Sequence, residues 1–117
     1  MAIREYPNSE TVEGFYTGMI ETAADKTYTV DPACKHALTL TSFYAKTGSG
    51  TVAILLKNGS DNVAVASLSS STGVYGSTLA NTSVAAGTAL SFTLSSNSSG
   101  ADLVFRIGYE YEIELDA

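Results

Sequence analysis

The C-terminal end of the chain carries the most regular alternation of apolar and polar residues. From 103 to 115 the odd positions are apolar or aromatic, and most even positions from 102 to 116 are polar or charged. Because side chains of a β-strand alternate between its two faces, this pattern predicts a strand over 102–115. At about 3.3 Å per residue it would span about 45 Å, against about 17–20 Å for an ordinary strand. The strand therefore either bends at Gly108 and serves two sheets or projects beyond the domain.

Shorter segments of strand character recur about every ten residues along the rest of the chain. They lie at 14–20, 27–30, 37–46, 51–57, 63–66 and 89–95. Turn-forming residues separate them, notably at 23–26, 48–50 and 96–100. Within 37–46 the apolar phase shifts before Phe43, which predicts a β-bulge near Thr41 or Ser42.

One hairpin is indicated more strongly than any other feature. The segment 51–57 is almost wholly apolar, which suits a strand buried on both faces, and it leads into Asn58-Gly59, a strong hairpin signal. The chain then returns through 63–66. The following residues are rich in Ser, Thr and Gly, and Val74-Tyr75 could form a short edge strand among them.

These patterns together predict the fold class. No window shows the 3.6-residue period of a helix, and short strands with frequent turns are typical of sandwiches. We therefore expect an all-β protein, a single antiparallel β-sandwich or jelly-roll-like domain over 14–117. Residues 1–13 are polar, contain Pro7 and show no period, so they are predicted to form an extended N-terminal arm.

Charge and composition narrow the functional classes. The 117 residues include 6 Lys and Arg against 12 Asp and Glu, and the cations are scattered, which argues against nucleic-acid binding. The chain has no run of about eighteen apolar residues and no apolar signal core, so we expect no membrane partner and synthesis in the host cytoplasm without a signal peptide. The single cysteine cannot form an internal disulfide.

Cys34 and His36 are the candidates for chemistry. Such a pair could act as nucleophile and base, or as two ligands of a metal. Neighbouring positions on one strand rarely give catalytic geometry, however, and zinc would need further ligands. We therefore predict a buried thiol and an exposed imidazole. Because no nucleophile elbow, phosphate loop or dinucleotide fingerprint occurs either, we expect a non-enzymatic protein with no catalytic residue, cofactor or metal.

The acidic face of the C-terminal strand allows several interpretations. Successive carboxylates lie about 6.6 Å apart along one face, too far for two of them to hold one calcium ion without outside ligands. The face can be a solvated surface that resists aggregation, a docking surface for a basic partner or, least favoured, a metal or catalytic site. The tyrosines on the opposite face indicate packing or an interface. The interface candidates are Tyr109, Glu110, Tyr111, Glu112 and Glu114, with Arg4 and Tyr6 in the arm.

A succession of turns and strands resembles a known group of proteins. It comprises Lys26–Asp31, Thr47–Val52, Lys57–Gly59, Ala80–Thr82 with Gly87, and Ser95–Phe105. It is similar to small β-sandwich domains of tailed-bacteriophage virion proteins, among them head decoration (cement) proteins and fibre domains. The resemblance implies a structural or adhesive role, commonly as a homotrimer, and it transfers no functional residue.

From this resemblance we expect a decoration protein on the capsid surface of a virion. Its partners would be its own copies in a homotrimer and the major capsid protein or another virion protein. A fibre would more often append such a domain to a long repetitive shaft, and this sequence contains none. The alternative is a tail-fibre or receptor-binding tip domain that recognises host surface glycans.

Overall fold

The computed structural model describes residues 9–70, 74–76 and 79–114, and throughout these residues the chain is β-structure and loop with no helix. None of the described residues therefore belongs to a helix that could cross a membrane. The eight strands are β1 (Ser9–Thr22), β2 (Thr27–Asp31), β3 (Leu38–Lys46), β4 (Ser49–Asn58), β5 (Asp61–Ser69), β6 (Val74–Gly76), β7 (Ser83–Val84) and β8 (Leu90–Glu114). The predicted all-β, antiparallel, sandwich-like fold is confirmed.

Strand β8 is the centre of the structure because it has neighbours along both of its edges. Its residues 90–93 lie between β2 and β4, and its residues 104–110 lie between β1 and β3. All four pairings are antiparallel. Beyond them, β5 pairs with β4, while β6 and β7 pair with β3. Strand β3 pairs with the second half of β8 and β4 with the first half, both antiparallel, so β3 and β4 follow one another along the same edge of β8.

Strand β8 and the strands beside it bend midway along their length, and the two halves of the bent sheet pack face to face. In β8 the backbone adopts positive φ at Ser96, Ser99 and Asp102, and beside it the register with β4 shifts. The rings of Phe92 and Phe105, one from each half of β8, then meet at 5.0 Å in an edge-to-face contact. The bent sheet thus forms the two layers of the sandwich.

Two sequence predictions are corrected by this bend. The segments 48–50 and 96–100 were expected to be turns that separate strands, yet the chain keeps its direction through both of them. Residues with positive φ can bend a strand as well as reverse it, and the sequence does not distinguish the two. A bend at Gly108 was one of the two alternatives for the C-terminal strand; the residues of β8 with positive φ lie earlier, within 96–102.

The core lies between the inner faces of the two layers. Its fully buried large side chains come from β3, β4, β5 and both halves of β8: Phe43, Ile54, Leu56, Leu68, Leu90, Phe92, Leu94, Leu103 and Ile107. Strand β4 was predicted to be buried on both faces. Its Val52, Ile54 and Leu56 are buried, but the opposite face, including Leu55, is only half-buried.

Several local predictions agree with the structure. The hairpin of β4 and β5 turns at Asn58-Gly59, where Gly59 has φ 60°. The β-bulge lies between Leu40 and Ser42, where the register of β3 with β8 shifts. The short edge strand at Val74-Tyr75 appears as β6.

The predicted boundary between arm and sandwich, at residues 13 and 14, falls inside β1. Residues 9–13 continue the ladder, paired with 110–114 of β8. Residues 1–8, which include Arg4 and Tyr6, lie outside the described residues.

At the end of the sandwich where the β4–β5 hairpin turns, one buried side-chain amide connects the two layers. Asn58 is 8% exposed, and its Nδ2 donates to the carbonyl oxygens of Asn81 (2.9 Å) and Ser83 (2.8 Å). The hairpin of the first layer is thereby bonded to the segment that enters β7 in the second layer.

Asn58→Ala should lower the free energy of unfolding by about 2–3 kcal/mol, because two buried hydrogen bonds are lost together. Urea unfolding at neutral pH measures this change. Asn62→Ala is the matched control, since Asn62 is exposed and takes part in the described contacts through its backbone oxygen. Equal effects of the two variants would contradict the assigned role of Asn58.

Candidate functional site at the tip of the first and last strands

The far end of β1 and β8 extends beyond the neighbouring strand. The pairing of β3 with β8 ends at Thr39 and Glu110, whereas β1 and β8 stay paired as far as Ser9 and Glu114. We call residues 9–12 and 111–114 the tip ribbon. A two-stranded ribbon is marginally stable by itself in water, so its order depends on what packs against it.

A row of four rings supports the tip ribbon from its inner side. Tyr111 stacks on His36 at 4.8 Å with an interplanar angle of 5°, and Tyr109 lies 6.2 Å from Tyr111. Tyr16 lies 4.9 Å from Tyr109. We call these four residues the aromatic row. It connects the tip ribbon to the end of the core through stacked and tilted ring pairs, each of which contributes about 0.5–1.5 kcal/mol.

Glycines in β1 make room for the aromatic side chains of β8. A β-carbon at Gly14 would lie 2.5 Å from Tyr109 Oη, and one at Gly18 would lie 2.8 Å from the ring of Phe105. The rings therefore lie flat over the neighbouring strand. The four-residue spacing of the glycines matches that of the aromatic residues, which keeps both pairs in register.

The inner end of the aromatic row is anchored by a polar cluster. Tyr16 Oη donates to Asp31 Oδ2 at 2.7 Å and lies 3.9 Å from Cys34 Sγ. The other oxygen of Asp31 accepts from the backbone N–H of Ala33 at 3.1 Å. Burial raises the pKa of Tyr16 above its usual range, and the bond to Asp31 adds to the shift. The cluster fastens the connection between β2 and β3 to β1.

The predicted states of Cys34 and His36 are confirmed. Cys34 is buried, while His36 is exposed and rests on Tyr111. Burial raises the pKa of the Cys34 thiol, which keeps it protonated and weakly nucleophilic at neutral pH. The two residues lie in a connection rather than on a strand, and their side chains meet different neighbours.

The acids occupy the outer face, opposite the aromatic row. Glu112 is exposed and Glu110 half-buried, and Glu13 lies directly across from Glu110. Like charges in directly opposed positions of an antiparallel pair destabilise it. Among the described residues, no group of three or more His, Cys, Asp or Glu side chains is placed to hold a metal ion.

A groove of about 630 Å³ opens where β3 ends and β8 continues. Its walls come from the start of β3, from β7 and from the tip ribbon: Leu38, Thr39, Val84, Glu110, Tyr111 and Glu112. Along this groove the edge of β8 beyond Glu110 has no strand beside it among the described residues. The groove could therefore accept an extended segment or a small polar ligand.

The structure brings four of the predicted interface residues together at the tip, Tyr109 and Tyr111 on the inner face and Glu110 and Glu112 on the outer face. The side chain of Glu114 lies outside the described residues, as do Arg4 and Tyr6. Sequence reasoning missed the roles of Tyr16 and His36 in the aromatic row. No spacing in the sequence pairs Tyr16 with Tyr109, because the register of β1 with β8 decides which rings meet.

Comparison with known proteins does not assign this chain to a family. No family model matches the chain, and no curated protein matches it. Among solved structures, a chain from the Bacillus endospore appendages, described as forming a novel family of disulfide-linked pili, aligns over 99% of this chain and 100% of its own. The TM-score is 0.49 and the sequence identity 14%. A likeness of this size assigns no function.

Gly14→Ala should destabilise the fold by about 1–3 kcal/mol, because the new methyl group collides with the Tyr109 ring. Tyr109→Ala in the same chain removes that collision, so the double variant should lose less than the sum of the single losses. Urea unfolding of all three variants tests this coupling. Thr17→Ala, on the exposed face of β1, is the control. Strictly additive losses would show that the ring does not lie over Gly14.

Stability should fall in alkaline solution. In the unfolded chain the thiol loses its proton near pH 8.5, whereas burial raises the pKa of Cys34 in the folded state. The free energy of unfolding therefore decreases as the pH rises from the unfolded pKa to the folded pKa. Tyr16 acts in the same direction above about pH 10. Below the unfolded pKa values these contributions are constant.

Urea unfolding from about pH 7 to pH 10, under reducing conditions, measures this dependence. Cys34→Ala should lower stability at every pH but flatten the decline that begins near pH 8.5. Parallel curves for the two proteins would contradict a raised thiol pKa.

Proposed function

We propose that this chain is a non-enzymatic structural protein of a tailed-bacteriophage virion, a decoration (cement) protein that binds the capsid surface as a homo-oligomer. The partner would be the major capsid protein or another virion protein, and the resemblance described above implies a homotrimer. The tip ribbon is the proposed capsid contact.

The projection of the tip ribbon is the observation that carries this proposal. It extends past β3, presents the carboxylate of Glu112 on its outer face and borders an open groove. The aromatic row behind it reduces the freedom that the ribbon would lose on binding. Ordering a segment before it binds lowers the cost of association.

The environment of the candidate chemical groups favours a role without catalysis. Cys34 is buried with a raised pKa, and the hydroxyl of its neighbour Tyr16 donates a hydrogen bond to Asp31. His36 rests on the Tyr111 ring on the other side of the connection. A nucleophile needs a base within hydrogen-bond reach, and these contacts direct the imidazole elsewhere.

The location of the chain in purified virions is the direct test. Immunogold labelling and cryo-electron microscopy should place many copies over the capsid surface. Copies confined to the tail tip, combined with glycan binding by the isolated protein, would replace the proposal with the receptor-binding alternative. Absence from the particles would overturn both.

We expect apolar support of the tip ribbon to matter more for capsid binding than its charge does. Tyr111→Ala should weaken retention on particles about tenfold or more, because the ribbon loses its stacking partner. Glu112→Ala should change retention only a few-fold, and its effect should shrink with added salt, since exposed charges are screened. Sedimentation of particles with labelled variants measures retention.

Tyr28→Ala is the matched control for the tyrosine variant. Tyr28 is also half-buried and stacks on Phe92 at 5.4 Å, but it lies in β2, at the opposite layer of the sandwich. Equal losses for the two tyrosine variants would show that general destabilisation, not the tip ribbon, controls binding. A larger loss for Glu112→Ala than for Tyr111→Ala would reverse the proposed order of the two contributions.

A further inference from the structure

The outer face of the β1, β8 and β3 layer exposes large apolar side chains next to cations. Phe15 is 59%, Met19 57% and Val104 38% exposed, three of the four exposed large hydrophobic residues in the described part of the chain. Arg106 and Lys46 lie on the same face, and Met19 and Lys46 flank Val104. We call these five residues the outer patch. Apolar surface concentrated on one sheet face indicates a contact surface.

Charge is ordered along this face in the strand direction. On β8 the successive outward positions are Glu112, Glu110, Gly108, Arg106 and Val104, about 6.6 Å apart. Glu112 and Glu110 thus lie on one side of Gly108, and Arg106 lies on the other, with Asp102 beyond Val104 at the bend. The residues of β1 opposite Glu110, Gly108, Arg106 and Val104 are Glu13, Phe15, Thr17 and Met19, so β1 has a carboxylate on the same side as β8 but no cation.

From this order we infer that the outer patch is a self-complementary contact for a second copy of this chain. A twofold axis across the strands, passing over Gly108, places Glu110 of each copy opposite Arg106 of the other. The same axis places Phe15 against Phe15 and brings Glu112 near Lys46. Both partners use the same surface, as an isologous contact requires.

Two alternative registers oppose like charges near the centre of the face. A twofold axis parallel to the strands would superpose equal positions along β8, so that Glu110 meets Glu110. An axis across the strands over Arg106 would place Arg106 opposite Arg106. Juxtaposed like charges select against such pairings. The register over Gly108 opposes like charges only at its ends, where position 114 comes opposite Asp102 and the crossing of the two sheets displaces the strands by about 10 Å.

Side chains from both neighbouring strands cover Gly108 at the centre of the proposed contact. A β-carbon there would collide with Ser42 Oγ and would lie 3.1 Å from Thr41 Oγ1 and 3.2 Å from the Phe15 ring. The Arg106 guanidinium lies 5.5 Å from the centre of the same ring. Two such surfaces can approach to about 10 Å between backbones, the usual separation of packed sheets.

Sheet twist limits how far the pairing extends. The strands of two packed sheets cross at about 30°. At the first outward position from the axis, this crossing displaces a group from its partner in the other copy by only about 3 Å. The long side chains of Glu110 and Arg106 can span that displacement. The face covers about 30 by 14 Å, less than the roughly 800 Å² that each partner buries in a standard interface. We therefore expect a reversible dimer of micromolar affinity in solution, in place of the homotrimer that the resemblance implies.

Exchange of the two charges tests the contact in solution, in the absence of virions. Arg106→Glu and Glu110→Arg should each weaken dimerisation at least about tenfold, because each variant opposes like charges. An equimolar mixture of the two variants should regain dimers, since each mixed dimer pairs opposite charges at both sites. The double variant Arg106→Glu, Glu110→Arg should regain them as well. Sedimentation velocity over a concentration series measures the mass against the 12.2 kDa of one chain.

Controls separate this contact from folding and from the capsid proposal. Lys57→Glu makes the same charge change on β4, in the other layer, and should leave dimerisation unchanged. Urea midpoints should show that all charge variants are folded. A wild-type monomer at the highest concentration, a trimer, or single variants that dimerise normally would overturn the inference. So would folded single variants that are not rescued by mixing. None of these outcomes bears on whether the tip ribbon binds a capsid.

Discussion

The antiparallel ladder of β8 holds the two layers together. Its first half is hydrogen-bonded to β2 and β4 and its second half to β1 and β3, so one continuous backbone belongs to both layers. Residues such as Leu94 and Leu103 reach the core from the same strand on either side of the bend. A reversal at the bend would separate these pairings, whereas a change of direction with positive φ keeps them.

The bend in the paired strands explains why polar side chains are concentrated in the segments around 47–50 and 96–102. Thr47 is fully buried, and its hydroxyl donates to the carbonyl oxygens of Ser49 (2.7 Å) and Ala101 (3.2 Å) across the bend. Nearby, Asn97 Nδ2 donates to the Ala23 carbonyl at 2.7 Å. Backbone groups that a regular ladder would pair are thus bonded by side chains. The polar, hydroxyl-rich side chains of these segments therefore supply hydrogen bonds at the bend between the two layers.

The strands were predictable because each alternates over enough residues to define a face, and the bulge before Phe43 shows directly as a shift of phase. The direction of the chain at 96–100 was not predictable. Ser, Asn and Gly permit positive φ in a bend and in a reversal alike, and the pairing partners that decide between them are far apart in sequence. The aromatic row was hidden for the same reason. Its members come from β1, the connection between β2 and β3, and β8, and only the register brings Tyr16 beside Tyr109.

The two faces of the projecting strands make different physical contributions. On the inner side, the Gly14–Tyr109 pair and the stacked rings stabilise the ribbon and leave the tyrosines half-buried. On the outer side, Glu13 opposite Glu110 weakens the same ribbon, and Phe15 and Met19 remain in water. The inner face is therefore complete within one chain, while the outer face would be stabilised by cations and apolar surface from outside it. Because Arg106 and the exposed Phe15 ring are such groups, a second copy can meet the unfavourable features of the outer face with the same set of residues.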